Sequence, residues 1–181
     1  CLCYLYWFIQ RSSIAVHPMS IKIITPPTPL YYGNFSRSTS MSSAGTTSDN
    51  VISWDTTNLS KGMSINSDTT KIVFANPGTY NLNFLGQFNF TGGTSDYHIT
   101  TWFSKNGVIV PSSGFTFTTA SAQGSQVLAN IESPITVVPN DYIQFHWWSG
   151  ASGMSLLATA AGTNPTRPAS PSANLTIYNV G

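Results

Sequence analysis

The chain is poor in side chains that could do covalent or acid–base chemistry. Its six carboxylates are Asp49, Asp55, Asp68, Asp96, Glu132 and Asp141. All but Glu132 fall in or beside turn-forming stretches, where Asp is favoured because it hydrogen-bonds the local backbone. Glu132 stands inside a run with strand character and reads as solvent-facing. No two carboxylates share a spacing suited to general acid and base. His98 and His146, the histidines beyond the N-terminal segment, each sit in a strand-like stretch among aromatics. That is the setting of a structural histidine, and no further residues can be named to complete a metal site with them. Cys1 and Cys3 are the only cysteines. At that separation a bridge between them would be strained, and zinc-type spacing is missing. Serine is abundant, yet there is no G-x-S-x-G, H-E-x-x-H or Gly-rich phosphate loop. The expectation is therefore no catalytic residue, no metal and no cofactor, and a protein that works by binding.

Composition narrows what it binds. Of 181 residues, 7% are charged and the net charge is +1, against about 25% charged in an average soluble domain. There is no basic face to attract nucleic acid or anionic lipid. A hydrophobic fraction of 41% is too high for disorder. The length suits one domain with a sizeable core. Solubility must come from Ser, Thr, Asn and Gly, a surface common in secreted and virion proteins.

The elements that must carry this surface are strands. Lys71–Phe74 is a short run of β-formers, followed by the turn Asn76-Pro77-Gly78. Then Tyr80, Leu82, Phe84, Phe88 and Phe90 take one parity, and Asn81, Asn83, Gln87 and Asn89 take the other. Period 2 of this length predicts a long strand with one buried face. Gly86 interrupts that face, which predicts a bulge or bend. Further strands are expected at Tyr31–Ser40, Val51–Trp54, Met63–Ile65, Tyr97–Ser104, Val108–Val110, Gly114–Ala120, Gln126–Ser133, Tyr142–Ser149, Met154–Ala160 and Ala173–Val180. Loops are expected at Ser42–Asn50, Asp55–Lys61 and Gly162–Ser172. Asn106-Gly107 is the strongest hairpin signal, a type I′ turn. About ten short strands and no helical period predict an all-β antiparallel sandwich.

Four motifs in order resemble a known family. Phe74, Pro77, Gly78, Tyr80 and Phe84 form F-x-x-P-G-x-Y-x-x-x-F. Trp102–Gly107 is an aromatic strand ending in K-N-G, and Asn140–Phe145 contains the D-Y strand start at Asp141. A proline-rich approach leads to the last strand. Over roughly residues 31–180 this pattern is similar to the C1q/TNF-like jelly-roll superfamily, and most similar to its bacteriophage and virus branch of fibre, collar and decoration proteins. The resemblance implies a two-sheet jelly roll of about ten strands and a homotrimer. Tyr142–Trp148 carries large aromatics on both faces, which a two-layer sandwich does not explain by itself. Tyr142, His146, Trp148 and Trp102 are therefore candidate residues of a subunit seam around a threefold axis, with Trp54 and Tyr31-Tyr32 as possible additions to it. The alternative is a local aromatic patch under the 162–172 loop.

Residues 1–18 are expected to lie upstream of a start at Met19; the other readings are a signal or anchor remnant and a docking arm. Residues 19–30, with Pro26, Pro27 and Pro29, read as an extended arm, and residues 31–181 as the domain. Loops 91–96, 121–125, 149–153 and 162–172 are candidate contact loops. They lack the exposed aromatics of a sugar-stacking site, with only Tyr97 at the border of one. The sequons at Asn34, Asn58, Asn89 and Asn174 matter only where a host glycosylates secreted proteins. The expected function is a trimeric virion head that docks to other virion proteins through its arm and meets a host receptor or glycan. The alternatives are a secreted C1q/TNF-like binding module of a cell, or an accessory β module of a larger enzyme.

Overall fold

Alternating aromatic and amide side chains produce the longest strand, and the other elements pack around it. The computed structural model describes residues 30–92, 97–119 and 124–180. The readings for Cys1, Cys3, Asp96, residues 1–29, and parts of the 91–96 and 121–125 loops lie outside these residues. The strands in chain order are β1 (Tyr32–Arg37), β2 (Met41–Ser42), β3 (Asn50–Val51), β4 (Thr56–Lys61), β5 (Met63–Ile65), β6 (Ile72–Phe74), β7 (Gly78–Phe90) and β8 (Tyr97–Lys105). There follow β9 (Val108–Ile109), β10 (Phe115–Thr119), β11 (Gln126–Val137), β12 (Tyr142–Ser149), β13 (Met154–Leu156), β14 (Gly162–Thr163), β15 (Thr166–Arg167) and β16 (Ala173–Asn179).

Two antiparallel sheets form the sandwich. Sheet A runs β11, β7, β16, β1, β4, and the short strands β13 and β2 continue the β16 and β1 columns. Sheet B runs β10, β8, β12, β6, β5, with β9 extending the β10 column and β3 the β6 column. The chain passes from β6 in B to β7 in A, to β8 and β10 in B, to β11 in A, to β12 in B and to β16 in A. That alternation between sheets is the double Greek key of a jelly roll. The expected all-β sandwich is thus the fold.

The inner faces meet in an aromatic core. Phe84 of β7 stacks on Phe145 of β12 with centroids 4.9 Å apart, and Trp54 sits edge-on to both at 6.5 and 6.3 Å. Phe88 meets Trp147 at 5.2 Å. Edge and offset contacts of this kind add to the burial of the rings. Trp54 is 1% exposed, so it belongs to the core and not to any outer seam.

Several sequence expectations shift. Gly86 makes no bulge: its register runs unbroken to Ala129 on β11 and Ala173 on β16. A Cβ there would lie 2.9–3.0 Å from the Phe84 and Phe88 rings, so glycine is needed for ring packing. In place of the loop that the sequence predicts at Asp55–Lys61, Thr56–Lys61 is the edge strand β4. Its residues are almost all exposed, and an edge strand with little buried surface has no apolar alternation to read. β11 runs four residues past Ser133, through Pro134. It lies at an edge of sheet A, where proline is tolerated. The 162–172 loop contains the small hairpin β14–β15.

Candidate functional site

The family-like motifs converge on one pole of the sandwich. Asn106 and Gly107 both have positive φ, 52° and 79°, as a type I′ turn requires. The turn puts the Asn106 amide over the start of β12. Asn106 Oδ1 accepts from the Tyr142 N–H at 2.9 Å, and its Nδ2 donates to Asp141 at 2.7 Å. Asp141 also accepts from the Val138 N–H at 3.0 Å and from Lys105 Nζ at 3.3 Å. The Asn106 amide, helped by the Val138 N–H and Lys105, holds the Asp141 carboxyl below its ordinary value, against the opposing effect of burial. K-N-G and D-Y are therefore two halves of one lock. Phe74, bonded to the Asp141 and Asn140 backbone, and Tyr80 are fully buried at this end, and Phe84 is buried further along β7 against Phe145. Tyr80 lies 4.9 Å from Phe74 and donates its hydroxyl to the Asn76 carbonyl. Pro77 and Gly78 lead into β7, where a Cβ on Gly78 would lie 2.6 Å from the Asn179 amide. All eight signature residues serve the scaffold.

The second convergence is on the outer face of sheet B. Register places His146 opposite Trp102, and Gln144 opposite Ser104. Tyr142, His146 and Trp148 share the outward parity of β12 and are half-buried. The His146 ring stacks on Trp102 with centroids 5.6 Å apart and planes 7° apart. Its Nδ1 is 2.9 Å from Asp49 and its Nε2 is 3.0 Å from the Ser104 hydroxyl. With the carboxylate at Nδ1, the neutral ring carries its proton there and Nε2 accepts from Ser104. Trp148 donates its indole N–H to the Thr46 carbonyl at 2.8 Å. Residues 46–49 therefore lie over part of this face. Of the four candidate residues, Trp102 and His146 stack, Trp148 shares their face of the sheet, and Tyr142 stands apart and receives Lys71 over its ring at 5.2 Å. The cover comes from the loop before β3 and not from residues 162–172. A second subunit is not required to account for the two-faced aromatics.

Ser104, His146 and Asp49 reproduce the order of a nucleophile, base and orienting acid. Two features keep them from acting as one. Ser104 is 2% exposed, and it sits mid-ladder between β12 and β9, so neighbouring N–H groups are committed to strand pairing and cannot form an oxyanion hole. The arrangement fixes the imidazole against Trp102. Sequence reading missed it because Asp49 comes from a polar loop with no spacing signal toward β8 or β12.

Beyond Trp102 the outer face opens into a cleft of about 250 Å³, lined by Thr100, Trp102, Pro111, Ser112, Ser113 and Gly114 with two aliphatic neighbours. Thr100 and Thr116 share a hydroxyl–hydroxyl hydrogen bond of 3.1 Å beside it. No group of three or more potential metal ligands occurs among the described residues.

Sheet A has a different outer face. Asn34, Asn58, Asn174 and Thr176 hydrogen-bond one another across β1, β4 and β16. Asn81 donates to Glu132 and to the Tyr178 hydroxyl. Glu132 is exposed, as its sequence context implied. Leu59, Leu128 and Tyr178 are exposed at 57%, 56% and 39% toward the margins of this face.

The loops sort by pole. Thr91 bonds Gly153, Gly124 bonds Phe90 and Ser43 bonds Met154, which gathers the 91–92, 124–125, 149–153 and 43–49 segments at one end. The N-terminal entry at Tyr31 bonds Asn179 beside Gly62 at the other end, with the Asn106–Asp141 lock.

No protein-family model and no curated protein sequence matches the chain. Solved structures similar to it include three of murine APRIL, at pH 8.5, 5.0 and 8.0. Each is 11% identical over 84% of this chain and 100% of the other, with TM-scores of 0.49, 0.48 and 0.49. The jelly-roll assignment rests on the strand order itself.

Proposed function

We propose that the chain is a non-enzymatic virion structural protein, the homotrimeric jelly-roll head of a fibre, spike, collar or capsid decoration. The reading rests on the C1q/TNF-like resemblance of its motifs and on the polarity of the sandwich. Tyr31, the entry to the sandwich, lies at one pole, and the described parts of the 91–96, 121–125 and 149–153 loops gather at the other. A head of this kind docks to other virion proteins through the arm and turns its loops outward. Neutral polar loops adapt to a host receptor or glycan, and three copies multiply weak contacts.

The outer face of sheet A is the proposed seam. Five strand columns at about 4.8 Å, along a β7 of 13 residues at about 3.4 Å each, give a face on the order of 1,000 Å². A stable interface needs about 800 Å² per partner. Most of the face is neutral amide and hydroxyl, with Glu132 as the carboxylate on its β11 column, which limits the desolvation cost of buried charge, and Leu59, Leu128 and Tyr178 supply apolar contact. Tyr142, His146, Trp148 and Trp102 define the competing seam on sheet B.

Two sets of variants decide between the faces by sedimentation. Asn83 and Thr176 are cross-strand neighbours on sheet A. Asn83→Lys with Thr176→Lys places like charges at the middle of the proposed seam and is expected to give monomers, while Trp148→Ser keeps the assembly. A lysine pair that leaves the mass unchanged, with Trp148→Ser dissociating the chains, moves the seam to sheet B. A wild-type monomer overturns the trimer.

A further inference from the structure

We infer that the cleft beside Trp102 is a binding subsite for a neutral pyranose ring, the end unit of a glycan. The inference rests on reading the chain as a surface-binding module, but the site lies within one subunit and does not need the trimer.

A sugar subsite needs a fixed aromatic plate and hydroxyl groups at its rim. The plate is Trp102. One side of its indole is backed by the His146 ring, 5.6 Å away and within 7° of parallel. His146 is itself held at both nitrogens, by Asp49 and by Ser104. A support of this kind keeps a contact group in its bound orientation before the ligand arrives. The rim hydroxyls are those of the exposed Ser112 and of Thr100, the latter oriented by Thr116 at 3.1 Å; Ser113 is buried, and its hydroxyl pairs with the Phe103 backbone and braces the wall. Ser112 is held at φ 61°, a left-handed conformation unusual for serine, at the exposed lip of the cleft. None of the lining residues is charged. That charge match favours a neutral polyol over a phosphate, carboxylate or amine ligand. A volume of about 250 Å³ suits a single ring. Gly114 lines the cleft, and a Cβ there meets no heavy atom within 4 Å, so a larger side chain is tolerated at this margin. The plate lies on a strand, so the lack of aromatics in the loops does not bear on it.

The test is saturation-transfer NMR on the full chain. The probes are the methyl pyranosides of galactose, mannose, fucose and N-acetylglucosamine, with cyclohexanol as an apolar control. The expected result is saturable binding of at least one pyranoside with a Kd of millimolar order. Trp102→Ala removes the plate and is expected to weaken binding about tenfold or more. Gly114→Leu adds a branched side chain at the cleft margin while leaving the plate, and should weaken binding severalfold. Ser112→Gly suits the backbone, removes one hydroxyl and should weaken binding severalfold. The inference is overturned if no pyranoside binds at about 50 mM, if cyclohexanol binds as tightly, or if Gly114→Leu binds like wild type. A second copy filling the cleft would appear as sugar binding only below the concentration at which the chain assembles, and also overturns it. A monomer that binds sugar leaves this inference standing and rejects only the trimer; a trimer that binds none does the reverse.

Discussion

Asp141 offers the sharpest perturbation of the lock that joins the two sequence motifs. Its side chain is 10% exposed and accepts from Asn106, Val138 and Lys105 at 2.7, 3.0 and 3.3 Å. Hydrogen bonds to a charged acceptor contribute about 1.5–3 kcal/mol each when measured singly. They do not add here, because the exposed Asn106 and the Lys105 ammonium can turn to water. Asp141→Ala should then cost about 2–3 kcal/mol, most of it from the stranded Val138 N–H and the loosened turn. For a domain of this size that lowers Tm by about 4–12 °C. Asp141→Asn keeps the shape and should cost about half as much. The pH dependence adds a second readout. The folded carboxyl titrates below its ordinary value, so the unfolded chain takes up the proton first as pH falls. The stabilisation is complete above about pH 4 and is lost as the pH falls through the lowered folded value. Asp55 and Asp68 are also lowered, so Asp141→Asn should flatten the acid limb without removing it. Thermal unfolding followed by circular dichroism from about pH 7 to about pH 2 reads both effects. If Asp141→Asn melts at the wild-type temperature at neutral pH with an unchanged acid limb, the lock does not stabilise the fold.

Other substitutions probe packing and turns. Thr101 is fully buried and its hydroxyl has no partner; Thr101→Val should stabilise by about 1 kcal/mol, and a lower Tm would show that the hydroxyl is satisfied. Gly86→Ala would ordinarily favour a strand. Here it pushes a methyl into the Phe84 and Phe88 rings and should cost about 1–3 kcal/mol, so a stabilised variant rejects the close packing. Gly107→Val forces a β-branched residue to φ near 79° and should cost about 1–3 kcal/mol; an unchanged denaturation midpoint would reject the type I′ turn.

The sequence was legible wherever one face of a strand is buried. β7 and β12 show period 2 because their inward residues meet an aromatic core, and Tyr142–Ser149 matches its expected span. β4 was illegible because an edge strand with exposed Thr, Asn and Ser has no periodic signal. The lock at Asn106 and Asp141 was visible as two motifs, but not as one structure, since they are brought together only by the pairing of β8 with β12. The clamp on His146 needed Asp49, whose approach depends on how residues 43–49 fold over sheet B. Register across the chain, which local pattern does not encode, decides such contacts. Gly86 gave the right position and the wrong cause: a glycine in a buried face signals close approach as well as a bulge.

The proposed head is an assembly, with one sheet facing its neighbours and the other facing outward. Light scattering on the purified chain at micromolar concentration tests it most directly. A homotrimeric head has a mass three times the 19.5 kDa of one chain, with no smaller species. A sharp single peak at the mass of one chain contradicts it, and leaves the sheet A face as ordinary solvent-exposed surface.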